Sequence, residues 1–422
     1  MRAQDPELMA RGNLDERRRA ARDAIASSLP AMKRDVLEQM IDDPGIRTPV
    51  FVCFEELLLE NCRNLRRIAD AVRARALYSL KAFSLPAILP SMARVLDGFS
   101  ASSLFEVRLA RDHGGAARSV HLTTPVLRPH EIPRLADLCD FITLNSLGEL
   151  QRHGKALAPH VELGLRINPG LSFVDDPRYD PCAPQSRLGV TLDSAQRFVD
   201  ENRELASTIR GLHFHTNCES EDFGQLRDTA ARMVPLLRQL GPGIAWINLG
   251  GGYYLPDKGV PEGLRAAVDL LRSANSSLEV YLEPGTAIAQ EAAAMVTTVL
   301  DIIERDAVPL VVLDTTINHL PEVFDYRYTP DALGADANGQ FRYVLTGCSC
   351  LAGDMFGEYR FDRPLKVGSR ICFLDVGSYS LVKANLFNGI PAPSLCHVRT
   401  DGSRQMFCGP TYEQWANFYA TP

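Results

Sequence analysis

Short apolar runs recur along the middle of the chain, and stretches with helical periodicity separate most of them. Runs of this length bounded by turn residues predict buried strands, and the stretches between them predict helices. Eight such strand and helix units in succession predict a (β/α)8 barrel, whose chemistry lies at the C-terminal ends of its parallel strands. The eight runs are residues 76–80, 95–100, 120–124, 140–144, 161–167, 211–215, 245–249 and 278–282.

The pattern changes on both sides of this central region. Residues 1–47 combine mixed charge with helical periodicity, and an apolar run at 49–53 predicts a strand before a further helical stretch. Beyond residue 290, short apolar runs alternate with turn residues, which predicts a β-rich domain. We therefore predict an α/β chain with four parts: a helical N-terminal extension (1–47), a strand and helix associated with the β-domain (48–72), the barrel (73–289) and a C-terminal β-rich domain (290–422).

Composition and charge favour a small-molecule partner. The 422 residues carry 45 Lys and Arg against 52 Asp and Glu, a net charge of −7. No general positive field therefore attracts nucleic acid or an anionic membrane surface. The ten cysteines lack the spacing of a disulfide framework, which indicates reduced thiols and a cytoplasmic protein. No stretch is long and apolar enough to predict a membrane span.

Chemically distinctive residues follow several of the predicted barrel strands. Each has an ordinary explanation: a lone lysine is usually a surface charge, a glycine triplet is usually a turn, and two histidines can be core residues or a metal pair. Because strand ends of a barrel converge on one face, the whole set is more informative than any member. The set comprises Lys81 after the first strand, His213 and His215 at the sixth, Gly250 to Gly252 after the seventh, and Glu283 with Thr286 after the eighth.

This set suits pyridoxal phosphate. A lysine amine forms a Schiff base with the cofactor's aldehyde, and a histidine ring can lie against the cofactor ring. Glycines let backbone N–H groups approach a phosphate without obstruction by a Cβ atom. A carboxylate keeps the pyridine nitrogen protonated, and a unit charge pair about 4 Å apart is worth on the order of 4 kcal/mol at an effective dielectric near 20.

Longer motifs make the resemblance specific. The chain resembles the fold type III pyridoxal-phosphate decarboxylases, which combine an alanine-racemase-like barrel with a β-domain, and within them the carboxynorspermidine and carboxyspermidine decarboxylases. The resemblance runs from about Thr48 to the C-terminus. It rests on the motifs Tyr78-Ser-Leu-Lys-Ala-Phe, Ser102-Ser-Leu-Phe-Glu-Val-Arg, Arg166-Ile-Asn-Pro, Tyr179-Asp-Pro-Cys-Ala-Pro-Gln-Ser-Arg-Leu-Gly, His213-Phe-His-Thr-Asn-Cys-Glu, Glu283-Pro-Gly, Cys348-Ser-Cys-Leu-Ala-Gly-Asp and Phe387-Asn-Gly.

The resemblance implies a role for each matching residue. Lys81 would carry the Schiff base, His215 would stack on the cofactor ring and Glu283 would face the pyridine nitrogen. Cys350 would return a proton to the α-carbon after carbon dioxide leaves. Its neighbour Cys348 leaves a metal pair open, although a single Cys-x-Cys is weak evidence for zinc and we expect no metal. The other cofactor residues would be Glu106 and Arg166 in the barrel, and Gly250, Gly251, Gly252, Thr286 and Tyr379 at the phosphate.

The implied substrate is an amino acid with a long, amine-bearing side chain. Carboxynorspermidine or carboxyspermidine would give norspermidine or spermidine. Acidic residues should bind such a cationic tail. The alternatives are a decarboxylase of ornithine, lysine, diaminopimelate or a citryl-diamino acid, an amino-acid racemase, and a non-catalytic homologue that regulates an active enzyme. A citryl tail would instead require basic residues, and a regulatory homologue would usually lack the lysine or the cysteine. The tail candidates are Asp314, Glu322, Asp325 and Asp354.

The resemblance also implies an assembly. We call residues 348–354, which include Cys350, the cysteine loop. In the proteins that the chain resembles, the corresponding loop reaches the active site of the other subunit of a head-to-tail dimer. We therefore expect a two-fold homodimer with shared sites, in which Arg187 faces Asp354 across the interface and clamps its carboxylate. Two features depart from the family: residues 1–47 extend beyond its usual start, and Tyr253-Tyr254 follow the glycine triplet where the carboxynorspermidine group tends to have histidines.

Overall fold

A computed structural model describes residues 30–418 of the chain. The described residues divide into two compact units. One unit spans Leu58–Ala289, and the other combines residues 30–57 with residues 290–418. We call them the barrel unit and the β-rich unit. None of the helices among residues 30–418 is long and apolar enough to cross a membrane.

Strands occur throughout both units, with the barrel strands in the central part of the sequence. In chain order they are β1 (Val50–Phe54), β2 (Arg75–Ser79), β3 (Gly98–Ala101), β4 (Ser119–Thr123), β5 (Phe141–Leu144), β6 (Glu162–Asn168), β7 (Val190–Thr191), β8 (Gly211–His213), β9 (Trp246–Asn248), β10 (Glu279–Leu282), β11 (Ala293–Ile303), β12 (Leu310–Leu313), β13 (Phe341–Thr346), β14 (Met355–Phe361), β15 (Arg370–Leu374), β16 (Ser394–Val398) and β17 (Arg404–Phe407).

Helices alternate with the barrel strands and are sparse after them. In chain order they are α1 (Ala31–Asp42), α2 (Glu55–Ala71), α3 (Leu89–Met92), α4 (Leu104–His113), α5 (Ile132–Leu138), α6 (Leu147–Leu157), α7 (Leu192–Glu201), α8 (Arg203–Ala206), α9 (Phe223–Leu240), α10 (Glu262–Ala274), α11 (Thr286–Ala289), α12 (Pro321–Tyr326) and α13 (Tyr412–Ala416).

The barrel unit is a closed ring of eight parallel strands. Around the ring they run β5-β4-β3-β2-β10-β9-β8-β6, and pairing of β6 with β5 closes it. The short strand β7 adds to β6 outside the ring. The predicted fold class, a (β/α)8 barrel followed by a β-rich domain, is confirmed. Closure places the C-terminal ends of all eight strands on one face, which is where Lys81, His215 and Glu283 lie.

An aromatic cluster fills the interior of the barrel. Trp246, Tyr281 and Leu77 are buried and pack together with Phe141, and the His121 ring stacks on Phe141 with centroids 4.0 Å apart. The indole needs space that a neighbouring side chain would take, because a Cβ atom on Gly211 would lie 1.9 Å from Trp246 Cε2. The bulk of this cluster closes the barrel interior and leaves the chemistry to its rim.

The β-rich unit is built on an eight-stranded mixed sheet. Its main path is β14-β13-β12-β11-β1-β16-β17, and β15 pairs with β11. The pairs β1–β16 and β12–β13 are parallel, while the long strand β11 is antiparallel to β1, β12 and β15. The predicted run at 49–53 therefore corresponds to β1, a central strand of this second sheet.

Helix α1 is anchored to the β-rich unit by two cations. The Lys33 ammonium is buried and donates to the Glu291 carbonyl. Burial lowers the pKa of Lys33, while Asp375 acts in the opposite direction. The Arg370 guanidinium donates to the carbonyls of Met40, Asp43 and Ile46 at 2.6, 2.7 and 2.7 Å, and so holds the last turn of the helix and the residues that follow it. The part of the predicted N-terminal extension at residues 1–29 lies outside the described residues.

The division between units falls within α2, after Leu57, whereas the sequence places it after residue 72. Polar contacts explain the difference. Asn61 Nδ2 donates to the Ile288 carbonyl at 2.9 Å. Arg66 donates to the Ala74 carbonyl at 3.0 Å and forms a salt bridge with Asp97. These contacts tie most of the helix to the barrel, and only its first residues belong with the strand β1 that precedes them.

Candidate active site

Lys81 lies directly after β2 in a short 3₁₀ turn, Leu80–Ala82. Leu80 and Ala82 are buried, and the Tyr78 hydroxyl donates to the Phe83 carbonyl at 2.8 Å, so the turn is held on both sides of the lysine. The Lys81 side chain is accessible to solvent although the barrel rim surrounds it. The surrounding protein lowers the pKa of Lys81 by desolvating the amine. The Glu283 charge opposes this shift, and the Arg166 charge adds to it. A lowered pKa increases the fraction of neutral, nucleophilic amine.

Glu283, directly after β10, is buried with both carboxylate oxygens hydrogen bonded. His213 Nε2 lies 2.9 Å from Oε1, and Asn248 Nδ2 donates to Oε2 at 2.8 Å. Burial by itself raises the pKa of this carboxyl, but His213 and Lys81 hold it below its ordinary value. The site therefore presents a fixed carboxylate anion, with lone pairs remaining on both oxygens for one further donor.

His213 serves this carboxylate in its neutral form. Burial lowers the pKa of His213, although Glu283 opposes the shift. A neutral ring that donates from Nε2 has an unprotonated Nδ1, and that atom is buried with no hydrogen-bond partner among the described residues. We infer that His213 orients Glu283, which distinguishes it from the second histidine of the motif.

His215 lies two residues beyond His213, and its tautomer is also set. Its Nδ1 accepts the Gly251 N–H at 3.0 Å, so the proton of the neutral ring resides on Nε2. Burial lowers the pKa of His215 well below its ordinary value, and Lys81 and Arg166 add to the shift. A half-buried, neutral and oriented imidazole at the barrel rim suits the stacking role that the resemblance implies.

The glycine triplet lets the backbone pass close to two other strand ends. A Cβ atom on Gly251 would lie 2.6 Å from the Glu283 carbonyl oxygen, and one on Gly250, whose φ is +73°, would lie 2.6 Å from that of Phe214. Two of the three amides have acceptors within the protein: Gly250 N–H donates to Asn248 Oδ1 and Gly251 N–H to His215 Nδ1. Gly252, together with Thr286 at the start of α11, remains the candidate for phosphate binding.

Glu106 and Arg166 complete the barrel set. Glu106 lies in the first turn of α4 and accepts the Ser102 N–H at 2.6 Å. Burial raises the pKa of this carboxyl, and Ser102 and Lys81 oppose the shift. Arg166 is on β6, where burial lowers its pKa and Glu283 opposes the shift. The charges of both residues thus act on the pKa of Lys81, and their predicted role at the cofactor stays a prediction.

The Asn248 side chain was not predicted as a site residue. Its position at the end of a buried strand resembles that of an ordinary polar residue preceding a turn. The only available sequence signal was its place directly before Leu249 and the glycine triplet. In the structure it joins Glu283 to the Gly250 amide, so one side chain fixes both the carboxylate and the triplet.

The β-rich unit holds the remaining candidates. Cys350 is exposed, and its backbone N–H donates to Asn388 Oδ1 at 2.8 Å. The Asp354 carboxylate accepts the Ile317 N–H at 2.6 Å and the Ser349 N–H at 2.9 Å. Asp354 therefore stabilises the cysteine loop from within, and its expected contact with Arg187 stays a prediction.

The acidic residues predicted for a substrate tail fall into two groups. Asp314 accepts hydrogen bonds from Thr48, Thr297 and the Thr298 N–H, which gives it a structural task in the sheet. Glu322 and Asp325 lie on α12 and pair with Lys383, whose ammonium is 3.3 Å from Asp325 Oδ2. Lys383 also lies 5.7 Å from the centroid of the Tyr379 ring. A cationic substrate tail that bound Glu322 and Asp325 would therefore have to share these carboxylates with Lys383.

The residues present fit pyridoxal phosphate. Glu283 is an oriented anion for the pyridine nitrogen, His215 is a neutral ring for stacking, and Lys81 is an accessible amine. Each glycine of the triplet packs against backbone that a Cβ atom would strike, and the Gly252 N–H with Thr286 is left as the candidate for the phosphate. Tyr253 stands where the carboxynorspermidine group tends to have a histidine. The Tyr253 ring stacks on Phe223, and its hydroxyl accepts a hydrogen bond from Asn217 Nδ2.

Comparison with known proteins decides the family. A model of the pyridoxal binding domain of pyridoxal-dependent decarboxylases matches residues 57–290. The chain belongs to the pyridoxal-dependent decarboxylase family. It is 36% identical to a carboxyaminopropylagmatine decarboxylase from Synechocystis sp., over 88% of this chain and 95% of that protein. It is 32% identical to a carboxynorspermidine/carboxyspermidine decarboxylase from Campylobacter jejuni, over 88% of this chain and 98% of that protein.

Solved structures agree with this assignment. The structure of carboxynorspermidine decarboxylase complexed with norspermidine from Campylobacter jejuni matches this chain with a TM-score of 0.77 and 30% identity. The match covers 88% of this chain and 99% of that one. A diaminopimelate decarboxylase from Helicobacter pylori complexed with L-lysine also gives 0.77, at 18% identity over 92% of this chain and 99% of that one. The latter likeness shows the fold alone. The predicted family, the carboxy-lyase reaction class and the cofactor pyridoxal phosphate are confirmed.

Proposed function

We propose that this decarboxylase removes carbon dioxide from an amino acid with a long cationic side chain, a carboxylated polyamine. The observation that carries the proposal is the difference among its relatives. Relatives named for carboxyaminopropylagmatine, carboxynorspermidine and carboxyspermidine are 32% to 36% identical and covered over 95% or more of their length. A diaminopimelate decarboxylase from Vibrio cholerae is 25% identical, with 81% covered. Carboxynorspermidine and carboxyspermidine remain our leading substrates, with the agmatine derivative added.

In this proposal each residue has a defined task. Lys81 would hold the cofactor through its amine, His215 would support the cofactor ring, and Glu283, oriented by His213 and Asn248, would keep the pyridine nitrogen protonated. Bound pyridoxal phosphate supplies an electron sink for the bond that breaks at the α-carbon. Cys350 then donates its thiol proton to that carbon. Glu322 and Asp325 are proposed to bind the tail.

A substrate panel tests the proposal. The holoenzyme is incubated with carboxynorspermidine, carboxyspermidine, carboxyaminopropylagmatine, diaminopimelate, ornithine, lysine and a citryl-diamino acid, and carbon dioxide release is measured. We expect kcat/KM for at least one carboxylated polyamine to exceed that for every simple diamino acid by at least about 100-fold, or about 2.7 kcal/mol. Turnover of a simple diamino acid alone would refute the proposal.

The Schiff-base assignment has its own test. Borohydride reduction should attach the cofactor to Lys81, which peptide mapping identifies. Lys81→Ala should abolish this attachment, and Lys155→Ala should not, because Lys155 is a surface lysine paired with Glu204. Reduction onto another lysine in the wild-type protein would contradict the assignment.

We further propose a two-fold homodimer with shared active sites. Exposed apolar side chains near the cysteine loop support it. Phe387 immediately precedes the Asn388 that binds Cys350, and the Phe324 ring lies 3.5 Å from the Cβ position of Gly353; they are 44% and 57% exposed. Exposed apolar groups of this kind commonly mark an interface. We also propose a cytoplasmic location, because free cysteines are typical of proteins in a reducing compartment.

Subunit mixing tests the shared site. Lys81→Ala and Cys350→Ala homodimers should each be inactive or strongly impaired. After subunit exchange, each heterodimer should regain about one intact site, because one of its two active sites would combine Lys81 of one chain with Cys350 of the other. Differently tagged subunits verify the exchange. A mixture that exchanges fully yet stays as poor as its parents would rule out sharing.

A further inference from the structure

The Phe387-Asn-Gly389 turn makes a long-range contact with the cysteine loop. Asn388 Oδ1 accepts the Cys350 backbone N–H at 2.8 Å, across 38 residues of sequence. The residues around Cys350 are held differently: the Cys348 N–H donates to the Thr315 carbonyl and the Ser349 N–H to Asp354. Cys350 is thus the point at which the cysteine loop is tied to the turn.

The turn has a conformation that its sequence explains. Asn388 and Gly389 both have left-handed backbones, with φ of 59° and 69°. Among residues with a side chain, asparagine tolerates this conformation best, and glycine has no Cβ to oppose it. A Cβ on Gly389 would lie 3.3 Å from Trp415 Cζ2, and the Phe387 N–H donates to Asn385 Oδ1 at 3.1 Å. The left-handed backbone of the turn therefore sets the direction of the Asn388 side chain, and the Asn385 hydrogen bond only flanks it.

We propose that Asn388 is a positioning residue for the thiol of Cys350. The hydrogen bond fixes the Cys350 backbone, from which the short side chain extends, and so limits where Sγ can lie. This inference rests on the proposed function of Cys350. In that step the S–H bond breaks, a C–H bond forms at the α-carbon, and the resulting thiolate regains its proton from water. If the thiol were displaced, a proton from another donor, such as the Lys81 ammonium, would add to the cofactor carbon instead, and hydrolysis by one water would release pyridoxamine phosphate and an aldehyde.

The test compares variants that keep or remove the acceptor. Asn388→Gly accommodates the left-handed backbone but cannot accept the Cys350 N–H. Asn388→Asp keeps an oxygen at the same distance from the backbone. Asn385→Gly is the matched control, because it loosens the same turn without touching Cys350. Asn388→Ser serves as a second variant should the glycine variant fail to fold, since its hydroxyl is one bond too short to reach.

Two readouts are measured on each holoenzyme. The first is the fraction of turnovers that end in pyridoxamine phosphate, with carbon dioxide release as the reference. The second is hydrogen exchange of the Cys350 amide without substrate. We expect Asn388→Gly to raise the side-product fraction at least tenfold while carbon dioxide release changes less than threefold, and to accelerate exchange at Cys350 at least tenfold. Asn388→Asp and Asn385→Gly should stay near wild type in both.

The outcomes separate this inference from the proposed function. An unchanged side-product fraction in Asn388→Gly, or a raised fraction in Asn388→Asp, would overturn the positioning role. Failure of Cys350→Ala to raise that fraction would overturn the role of Cys350 itself. Failure of the wild-type enzyme to release carbon dioxide from any member of the substrate panel would refute the proposed function, and the exchange result at Cys350 would still report the hydrogen bond.

Discussion

Replacement of Glu283 by glutamine isolates the charge of the carboxylate from its geometry. The glutamine oxygen can keep the Asn248 contact, and its amide can donate to His213 Nε2 if the ring changes tautomer. That change is open to His213, because Nδ1 has no hydrogen-bond partner within residues 30–418. Asn248 cannot rotate as easily, since its Oδ1 holds the Gly250 N–H. The variant should therefore fold and bind the cofactor.

The expected effect on catalysis follows from the lost charge. A carboxylate within about 4 Å of a protonated ring nitrogen stabilises it by about 4 kcal/mol at an effective dielectric near 20. Glu283 is buried, so water does not compensate for the charge. At about 1.4 kcal/mol per factor of ten, loss of the pair corresponds to about a 1000-fold decrease in kcat. KM should change far less, because the protonated ring accepts negative charge that develops at the α-carbon only in the transition state.

Carbon dioxide release under saturating substrate measures kcat, and absorbance of the bound cofactor verifies equal loading. Glu279→Gln is the matched control: it makes the same change on the same strand, β10, but at a partly exposed residue that pairs with Arg75 at 2.7 Å. We expect its kcat to stay within about twofold of wild type. A kcat for Glu283→Gln within tenfold of wild type, at full cofactor loading, would remove Glu283 from the mechanism.

Three further substitutions test the site and its surroundings. Gly251→Ala should weaken cofactor binding at least tenfold in a reconstitution titration, because its Cβ would lie 2.6 Å from the Glu283 carbonyl oxygen, whereas Gly243→Ala, with no atom within 4 Å of its Cβ, should bind normally. Asn248→Ala should lower kcat about 10-fold to 100-fold, as expected for one hydrogen bond to a charged group; Asn248→Asp should be worse because it repels Glu283, and equal effects would refute this. Burial lowers the pKa of His319 from 6.5 to about 4, so its neutral form stabilises the fold fully above pH 6.5 and that contribution is lost as the pH falls towards 4. The free energy of unfolding of wild type should therefore fall by about 3 kcal/mol more than that of His319→Asn between pH 7 and pH 4, and parallel pH profiles of the two proteins in urea unfolding would contradict this.

The barrel and its reactive face could be predicted because both depend on local patterns. Buried parallel strands are apolar along their whole length and alternate with amphipathic helices, so β2 to β10 are visible in the sequence apart from the two-residue strand β7. Lys81, His215 and Glu283 each follow such a strand, and closure of the barrel places them on one face. In the second sheet, β11, β14 and β17 were not predicted individually, and in β14 and β17 polar residues interrupt the strand at partly exposed positions.

The tertiary structure decided the partners of these groups. The sequence alone determined the fold class, the family and the cofactor, since these follow from periodicity and from motifs that lie close along the chain. It did not reveal that His213 and Asn248 bind Glu283, or show that Asp314 is bound within its sheet and Asp354 within its loop. Those roles depend on hydrogen bonds between residues 17 to 70 positions apart. Such bonds form only where folding brings a donor within about 3 Å of its acceptor.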